Sequence, residues 1–592
     1  MSEMLTAVAI IFIVAGPFLL VANRYDLPAP PLLILAGIVA GFFIDEVLAL
    51  ELAQFGIALL VFTFGVGIQL SSIEPVLADS ELVALGQILV VGLLGVGVGV
   101  LFGLPVGEAV YLGVAAALSS TIVATSLLQT EIRSNLVQGR LGQSIQFVQD
   151  LVAVVFILIV GAGVFELDPV VLQIGYGAVF LLVAVLVNRY LFDVMGRLAG
   201  DSDELMIVGV ISLLVVFVGT AAAVDVPIVV GAFAAGLAVR HDPAEYLGLF
   251  NGLESIKDFF VAIFFVTIGA LVVLPFVHLG VAASVEKLTL VAGLVVLTMV
   301  VKPAVTIAIL IHRGYEARTA TLTGFSTDQI SEFSLIIAIE ALILGLLTQS
   351  VFDAIVLAAA VTMITSTITQ QYNEQFYRSL ADRGIVSGRH DKIDELSDVP
   401  EDIADHVIIL GYGQKGRRLV EACERLDQPY VVIENNPARR EAIRRDCAAY
   451  VFGDAMEPYT WEKANANRAR VIMSLTSSEV VSRRLLESEY DAPLILRAQD
   501  EATALSQLDA GATYVTVPDL LAGEQLVKQI QRLIDGEISA AELRADGRNA
   551  LIRTDIGRLG WGHCGTSDSL LARSESKKHQ PQYGRLKMTG HY

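Results

Sequence analysis

From residue 4 to about residue 370 the chain is one apolar block after another, most of them long enough to span roughly 30 Å of hydrocarbon. Lipid offers no partner to a backbone N–H or C=O, so each run must satisfy its own backbone, and an α-helix does so. Thirteen segments are expected, at about 4–22, 31–44, 51–70, 82–104, 107–129, 141–164, 169–193, 204–223, 226–240, 257–278, 284–312, 318–346 and 350–369. The second and ninth are short. Only 17% of the residues are charged, against about 25% in soluble domains. The deficit lies in the first two-thirds, and composition becomes ordinary from about residue 400. A polytopic membrane domain followed by a soluble domain is expected.

Net charge is −22, with no basic footprint for a nucleic-acid partner. Cys423, Cys447 and Cys564 all fall in the soluble part, in no metal-type spacing, and read as reduced thiols. The first run has no basic segment before it and no small-residue cleavage site, so it reads as a membrane helix rather than a removed signal. Loop charges set orientation. Arg24, Arg133, Arg140, Arg189, Arg197, Arg240, Lys257, Arg313, Arg318 and Arg378 follow odd-numbered segments, whereas acids follow the even ones, with Lys287 the only base there. The positive-inside rule then puts the N-terminus outside and the C-terminal domain in the cytoplasm of a cell-membrane protein.

Three stretches are too polar for a passive anchor. In "QSIQFVQDLVAVV", Gln143, Gln146 and Asp150 recur at i, i+3, i+7 on one face, with Gln149 to one side and Asp150 near mid-span. An intramembrane acid is expensive and is a functional residue by default. In "ALSSTIVATSLL", Ser119, Ser120 and Thr121 are consecutive hydroxyls, suited to freed backbone groups where a helix unwinds or to ordinary contact between helices. In "TLTGFSTDQISEFSLIIAIE", Asp328 and Glu332 stand at i, i+4 among Ser326, Thr327, Gln329 and Ser331, which predicts an aqueous cavity. Lys302, followed by Pro303, sits too deep to snorkel and is expected to pair with Asp150, Asp328 or Glu332. A mid-depth carboxylate for which a proton and a dehydrated monovalent cation compete is sufficient for antiport, if the site faces each side in turn.

These stretches resemble the monovalent cation:proton antiporter-2 family, most closely its Kef-type potassium:proton antiporters. The match runs in order through "LSSTIVATSLL", "QSIQFVQDLVAVV", "VGAFAAGLAV", "FFVAIFFVTIGALV" and "DQISEFSLII". The resemblance implies that Asp150 carries the cation or proton and that Gln149 stands where relatives carry a second acid or an Asn. It implies that Lys302 is the embedded base pairing with the acid. It makes the fifth and twelfth segments broken, crossing helices in inverted repeats, and it implies a homodimer.

In the soluble part, "HVIILGYGQKGRRLVEACERLDQPYVVIE" runs a strand into Gly411-x-Gly413-Gln414-x-Gly416, then a helix, then a strand ending on Glu434. The glycines allow a tight turn and bring phosphates to a helix N-terminus, and the acid is placed for ribose hydroxyls. Further strands follow, the third ending at Gly453-Asp454-Ala455. A doubly wound parallel sheet is expected, similar to the TrkA-N or RCK domains that regulate potassium channels and transporters. NAD(H), AMP and ATP all suit it as regulatory ligand. The boundaries expected are 1–375 for the antiporter domain, 376–404 for a linker, 405–520 for the Rossmann-like domain and 521–592 for a helical extension with a disordered tail from about 545.

The function expected is exchange of a monovalent cation, potassium first and sodium second, for protons, gated by the cytosolic domain. No metal is expected beyond the transported cation, and no enzymatic activity. Two other classes share some features: a channel-like cation efflux pathway gated by the same domain, and a membrane-tethered NAD-dependent oxidoreductase. The absence of a TVGYG-like filter weighs against the first, and the lack of a separate catalytic domain against the second.

Overall fold

A computed structural model describes residues 3–548, apart from 68–76, 134–135, 162–166, 201, 241–246, 387–390 and 437–438. Among the described residues nine helices are long and apolar enough to cross a membrane, and shorter apolar helices lie at Ala29–Ala40 and Ile228–Ala238. Helix boundaries follow local chemistry. Asp45 caps the helix Glu46–Val66 by accepting a hydrogen bond from the Val47 amide at 3.2 Å. Pro303 lacks an N–H and crowds the preceding turn, and the chain widens into a π-helical turn at Leu297–Val301 immediately before Lys302.

Two of the expected segments are interrupted. The fifth divides into Val106–Ala117 and Thr121–Leu127, and the twelfth into Ala317–Phe325 and Glu332–Ile343. The tenth begins earlier than its apolar run suggests, at Leu247, because Glu254, Lys257 and Asp258 are carried as helical residues. Small residues let the helices approach closely. A Cβ on Gly37 would lie 2.2 Å from the Val266 carbonyl oxygen, and one on Gly236 would lie 2.2 Å from that of Phe62.

One buried ion pair lies away from both interruptions. Lys287 bonds the Asp353 carboxylate and also donates to the Val273 carbonyl at 3.0 Å. Asp353 in turn accepts from the Val273 amide and from Gln349. The pair pins the turn after Leu247–Ala270 onto the helix Gln349–Gln371.

The C-terminal part contains β1 (His406–Leu410), β2 (Tyr430–Glu434), β3 (Tyr450–Phe452), β4 (Ala469–Ser474), β5 (Leu494–Arg497) and β6 (Tyr514–Thr516) in the order β3-β2-β1-β4-β5-β6. The registered pairs β1–β2, β1–β4, β2–β3 and β4–β5 are parallel. Alternate residues feed two cores. Ile408, Val431, Ile433 and Val451 pack with Trp461 on one face, and Ile409, Val432, Val420 and Cys423 pack on the other. The strand order reverses between β1 and β4, where such sheets open a crevice.

By contacts, the described residues up to 497, with 507–515, form one unit, and those in 498–506 and 516–548 a second. Within the second, the helix Pro518–Ile534 exposes Leu526, Val527, Ile530 and Ile534. Cys423 and Cys447 are buried free thiols. Cys564 and nearly all of the tail read as disordered lie outside the described residues.

Removing one partner of a buried, hydrogen-bonded pair leaves an uncompensated charge, which costs about 3–5 kcal/mol. Lys287→Met is therefore expected to lower the unfolding midpoint in detergent markedly, and Lys287→Met with Asp353→Leu to recover most of the loss. A single variant as stable as the parent would show that the pair holds nothing.

Candidate functional site

The two interruptions meet, and side chains from other helices bond several of their backbone groups. At the first, Gln149 accepts from the Ser119 amide at 2.8 Å, donates to the Ala117 carbonyl at 3.3 Å, and donates to Gln87. At the second, Gln146 donates to the Ser326 carbonyl and Thr362 accepts from the Ile330 amide, both at 3.2 Å. Ser119 links the two by donating to the Thr327 carbonyl at 3.1 Å. Lys302 is fully buried, and its Nζ donates to the carbonyls of Leu118 (2.9 Å) and Gln329 (2.8 Å). Leu118 caps the C-terminal end of its half-helix, where the backbone dipole leaves partial negative charge, and Gln329 lies in the unwound stretch of the other interruption.

The N-terminal ends of the other half-helices carry partial positive charge, and acids gather there. Ser120 caps Thr121–Leu127, and the Thr121 hydroxyl donates to Asp150 at 2.5 Å. Glu332, the first residue of its half-helix, accepts from the Ile122 amide at 3.2 Å. Glu332 is the charged group that bears on Asp150. Its other carboxylate oxygen is buried and makes no hydrogen bond. A cavity of about 730 Å³ is lined by Thr121 and Glu332 together with Gln143, Glu254, Lys257 and Asp258. The arrangement places two carboxylates, one behind Thr121 and one at the cavity wall, where a dehydrated cation can be held.

In the sheet domain, Gly411 has φ +100°, a conformation that favours glycine, and a Cβ on Gly416 would lie 2.2 Å from the Gly411 oxygen. The chain turns tightly here and starts the helix Gln414–Arg425 at the end of β1. Glu434 accepts from the amides of Tyr412 (2.8 Å), Asn435 and Asn436 (3.0 Å each) and from Arg439 Nη1 (2.8 Å). Asp454 accepts from the Met456 amide through one oxygen, while the other is buried and makes no hydrogen bond. The glycines, Gln414, Glu434, Asp454 and Ala455 all line a cavity of about 390 Å³. A cradle that a Cβ would fill, an acid at the end of β2 and an orphaned acceptor after β3 fit a nucleotide. A ribose hydroxyl would compete with Arg439, which is half-exposed, for Glu434.

Residues 8–371 match the transmembrane sodium/hydrogen exchanger family model, more than half of the chain. The chain belongs to the sodium/hydrogen exchanger family. Residues 407–518 match the TrkA-N domain. The chain is 26% identical to a putative cation/proton antiporter, YbaL, of Escherichia coli K12, over 85% of this chain and 93% of that one. It is 25% identical to a putative K(+) efflux antiporter, KefB, of Alkalimonas amylolytica, over 87% and 79%. Among solved structures, the sodium proton antiporter MjNhaP1 of Methanocaldococcus jannaschii aligns over 64% of this chain and 99% of its own, at 14% identity and a TM-score of 0.49. Exchanger and TrkA-N domains on one chain, with relatives named as cation/proton and K(+) efflux antiporters, agree with the antiporter-2 resemblance.

Within this exchanger, the residues singled out from sequence converge, but their pairings differ from expectation. Lys302 hydrogen-bonds backbone carbonyls rather than a carboxylate, and the charge bearing on it is Asp328. Asp328 and Glu332 are not helical neighbours: Asp328 lies in the unwound stretch near Ser366 and Thr369, and Glu332 opens the next half-helix beside Asp150. Gln149 spends its whole amide on the scaffold. Gln87 escaped notice, although it is a lone amide in the apolar run "LVALGQILVV". It donates to Thr306 at 2.5 Å and Thr327 at 3.1 Å and accepts from Gln149.

A further acid pair lies where the half-helix Ala317–Phe325 meets the sheet domain. Glu457 accepts from the Thr319 amide at 3.2 Å and hydroxyl at 3.3 Å, and Glu316 is beside it. Burial, then the hydrogen bond and charge of Glu457, raise the Glu316 carboxyl to about 11, and burial also raises Glu457. A carboxyl whose folded value is raised stabilises the fold fully below its ordinary range, and the contribution fades as pH climbs toward the raised value. For Glu316 that window runs from 4.5 to about 11. Amide exchange at Thr319, corrected for intrinsic rates, is expected to speed up from pH 7 to pH 10, and Glu316→Gln to flatten that rise. An identical slope in the variant would remove Glu316 from the account.

Proposed function

We propose that the protein exchanges a monovalent cation, potassium before sodium, for protons across the cell membrane, under control of a nucleotide bound by its cytoplasmic domain. The observation that carries this reading is the pair of acids, Asp150 and Glu332, gathered at two half-helix N-termini where the cavity ends. Asp150 is the exchange carboxylate. Thr121 orients it, Glu332 supplies the second negative charge, and Ser119, Ser120 and Gln149 hold the surrounding backbone open. Lys302 and Asp328 maintain the opposite side of the crossing.

The chemistry is competition. Proton and dehydrated cation neutralise the same carboxylates, so occupancy by one excludes the other. The cavity is lined by Glu254, Lys257 and Asp258 in the first half of the helix Leu247–Ala270, which follows Arg240 on the side that loop charge assigns to the cytoplasm, and this supports an inward-facing conformation. Alternating access then carries the neutralised site across. The same charge bias supports an N-terminus outside and a cytoplasmic C-terminal domain.

Residues 1–375 form the antiporter, 376–404 the linker and 405–520 the regulatory domain, with 521–592 as an extension. NAD(H), AMP or ATP is the regulator; its phosphates would lie at Gly411, Gly413 and Gly416, and its ribose at Glu434. The exposed apolar face of Pro518–Ile534 supports a homodimer.

Proteoliposomes carrying a pH-sensitive dye are expected to show proton movement on addition of K⁺, and a smaller response to Na⁺. Asp150→Asn should abolish the response, while Glu332→Gln should weaken the apparent cation affinity. Full exchange in Asp150→Asn would move the coupling site elsewhere, and the absence of coupled proton movement in the parent protein would sink the antiporter reading.

A further inference from the structure

The nucleotide cavity is not lined by the sheet domain alone. Leu136, in the turn that leads into the helix Val137–Gly161, also lines it. Leu136 is 3% exposed and packs in the same apolar cluster as Ile408, Ile433, Leu494 and Trp461. One helical turn later, Arg140 donates through Nη2 to the Asn435 carbonyl at 2.7 Å. Asn435 follows Glu434 directly and lines the same cavity. Arg140 is 92% buried, and its Nε makes no hydrogen bond. The charges bearing on it include Asp454 and Glu434, both cavity residues.

The helix that begins here carries Asp150, ten residues and about 15 Å beyond Arg140. It is continuous and free of proline across that distance. It is also seated tightly on the second interruption: a Cβ on Gly142 would lie 2.7 Å from the Ser326 hydroxyl, and Gln146 bonds the Ser326 carbonyl. A small displacement at Arg140 therefore reaches the broken helix and Asp150 together.

We propose that the nucleotide site is composite, with Leu136 of the transport domain completing the wall of the cradle and Arg140, outside the wall, tying the cavity residue Asn435 to the helix that carries the exchange carboxylate, so that a bound adenine nucleotide bears on that helix. The proposal rests on the nucleotide-binding and cation-site readings above and adds the residues that join them. It also has a thermodynamic consequence. If the nucleotide changes the cation affinity, the cation must change the nucleotide affinity by the same factor.

The test uses the full-length protein in nanodiscs with AMP and NADH as probes, titrated by calorimetry with and without saturating K⁺. In the parent protein, K⁺ is expected to shift the affinity for the binding nucleotide by about fivefold or more. Arg140→Gln should remove that shift while binding persists, and Leu136→Ala should weaken binding in the absence of K⁺. Arg140→Lys, which keeps a donor but not the guanidinium fork, should restore part of the shift. Unchanged nucleotide affinity in Leu136→Ala, or a K⁺ shift that survives in Arg140→Gln, overturns the composite site. Binding to the parent protein with no K⁺ effect overturns the coupling but leaves the cradle standing. If neither nucleotide binds the parent protein, the cradle reading falls and the inference falls with it.

Discussion

The Lys302 ammonium group holds the membrane domain's crossing together. Two half-helices end at the crossing, and bringing two C-terminal ends together concentrates partial negative charge in a buried interior. One ammonium group donating to Leu118 and Gln329 bonds both unwound stretches at once. The opposite ends of the interruptions then begin new half-helices, whose free amides favour acids. Asp150 and Glu332 occupy that side, and Asp328 stays on the lysine's side. Charge at the crossing is therefore sorted by the direction of the backbone.

Much of this could be read from the chain because a polar residue in an apolar run is conspicuous. Asp150, Lys302, the Ser119–Thr121 hydroxyls and the Asp328–Glu332 stretch all stood out, and all meet at one place. Their partners could not be read. Which acid meets which base depends on where two helices unwind, and an i, i+4 spacing carries meaning only inside a continuous helix. The interruption between Phe325 and Glu332 removes that spacing and sends the two acids to different neighbours. Gln87 was missed for a related reason. A single amide in an apolar helix looks unremarkable until three distant segments are found hydrogen-bonded to it.

The sheet domain was legible in finer detail because its signals are local. Strand, glycine turn, helix and acid follow one another within thirty residues, and each restricts the next. The wall supplied by Leu136 had no such signal. A leucine before an apolar helix is ordinary, and its burial against Ile408 and Trp461 exists only once two remote parts of the chain are folded together.

The neutral residue at position 149 follows from hydrogen bonding rather than from ion chemistry. Gln149 donates to Gln87 and to the Ala117 carbonyl while it accepts from the Ser119 amide. A carboxylate in the same place can only accept, so it would meet two acceptors and leave both unsatisfied in a buried interior. An amide is the group that closes the first interruption here. With that position committed to the scaffold, the second negative charge beside Asp150 comes from Glu332, on the neighbouring half-helix and facing the cavity. Because Glu332 belongs to the interrupted helix and Asp150 to the continuous one, any shift between those two helices changes the distance between the two acids.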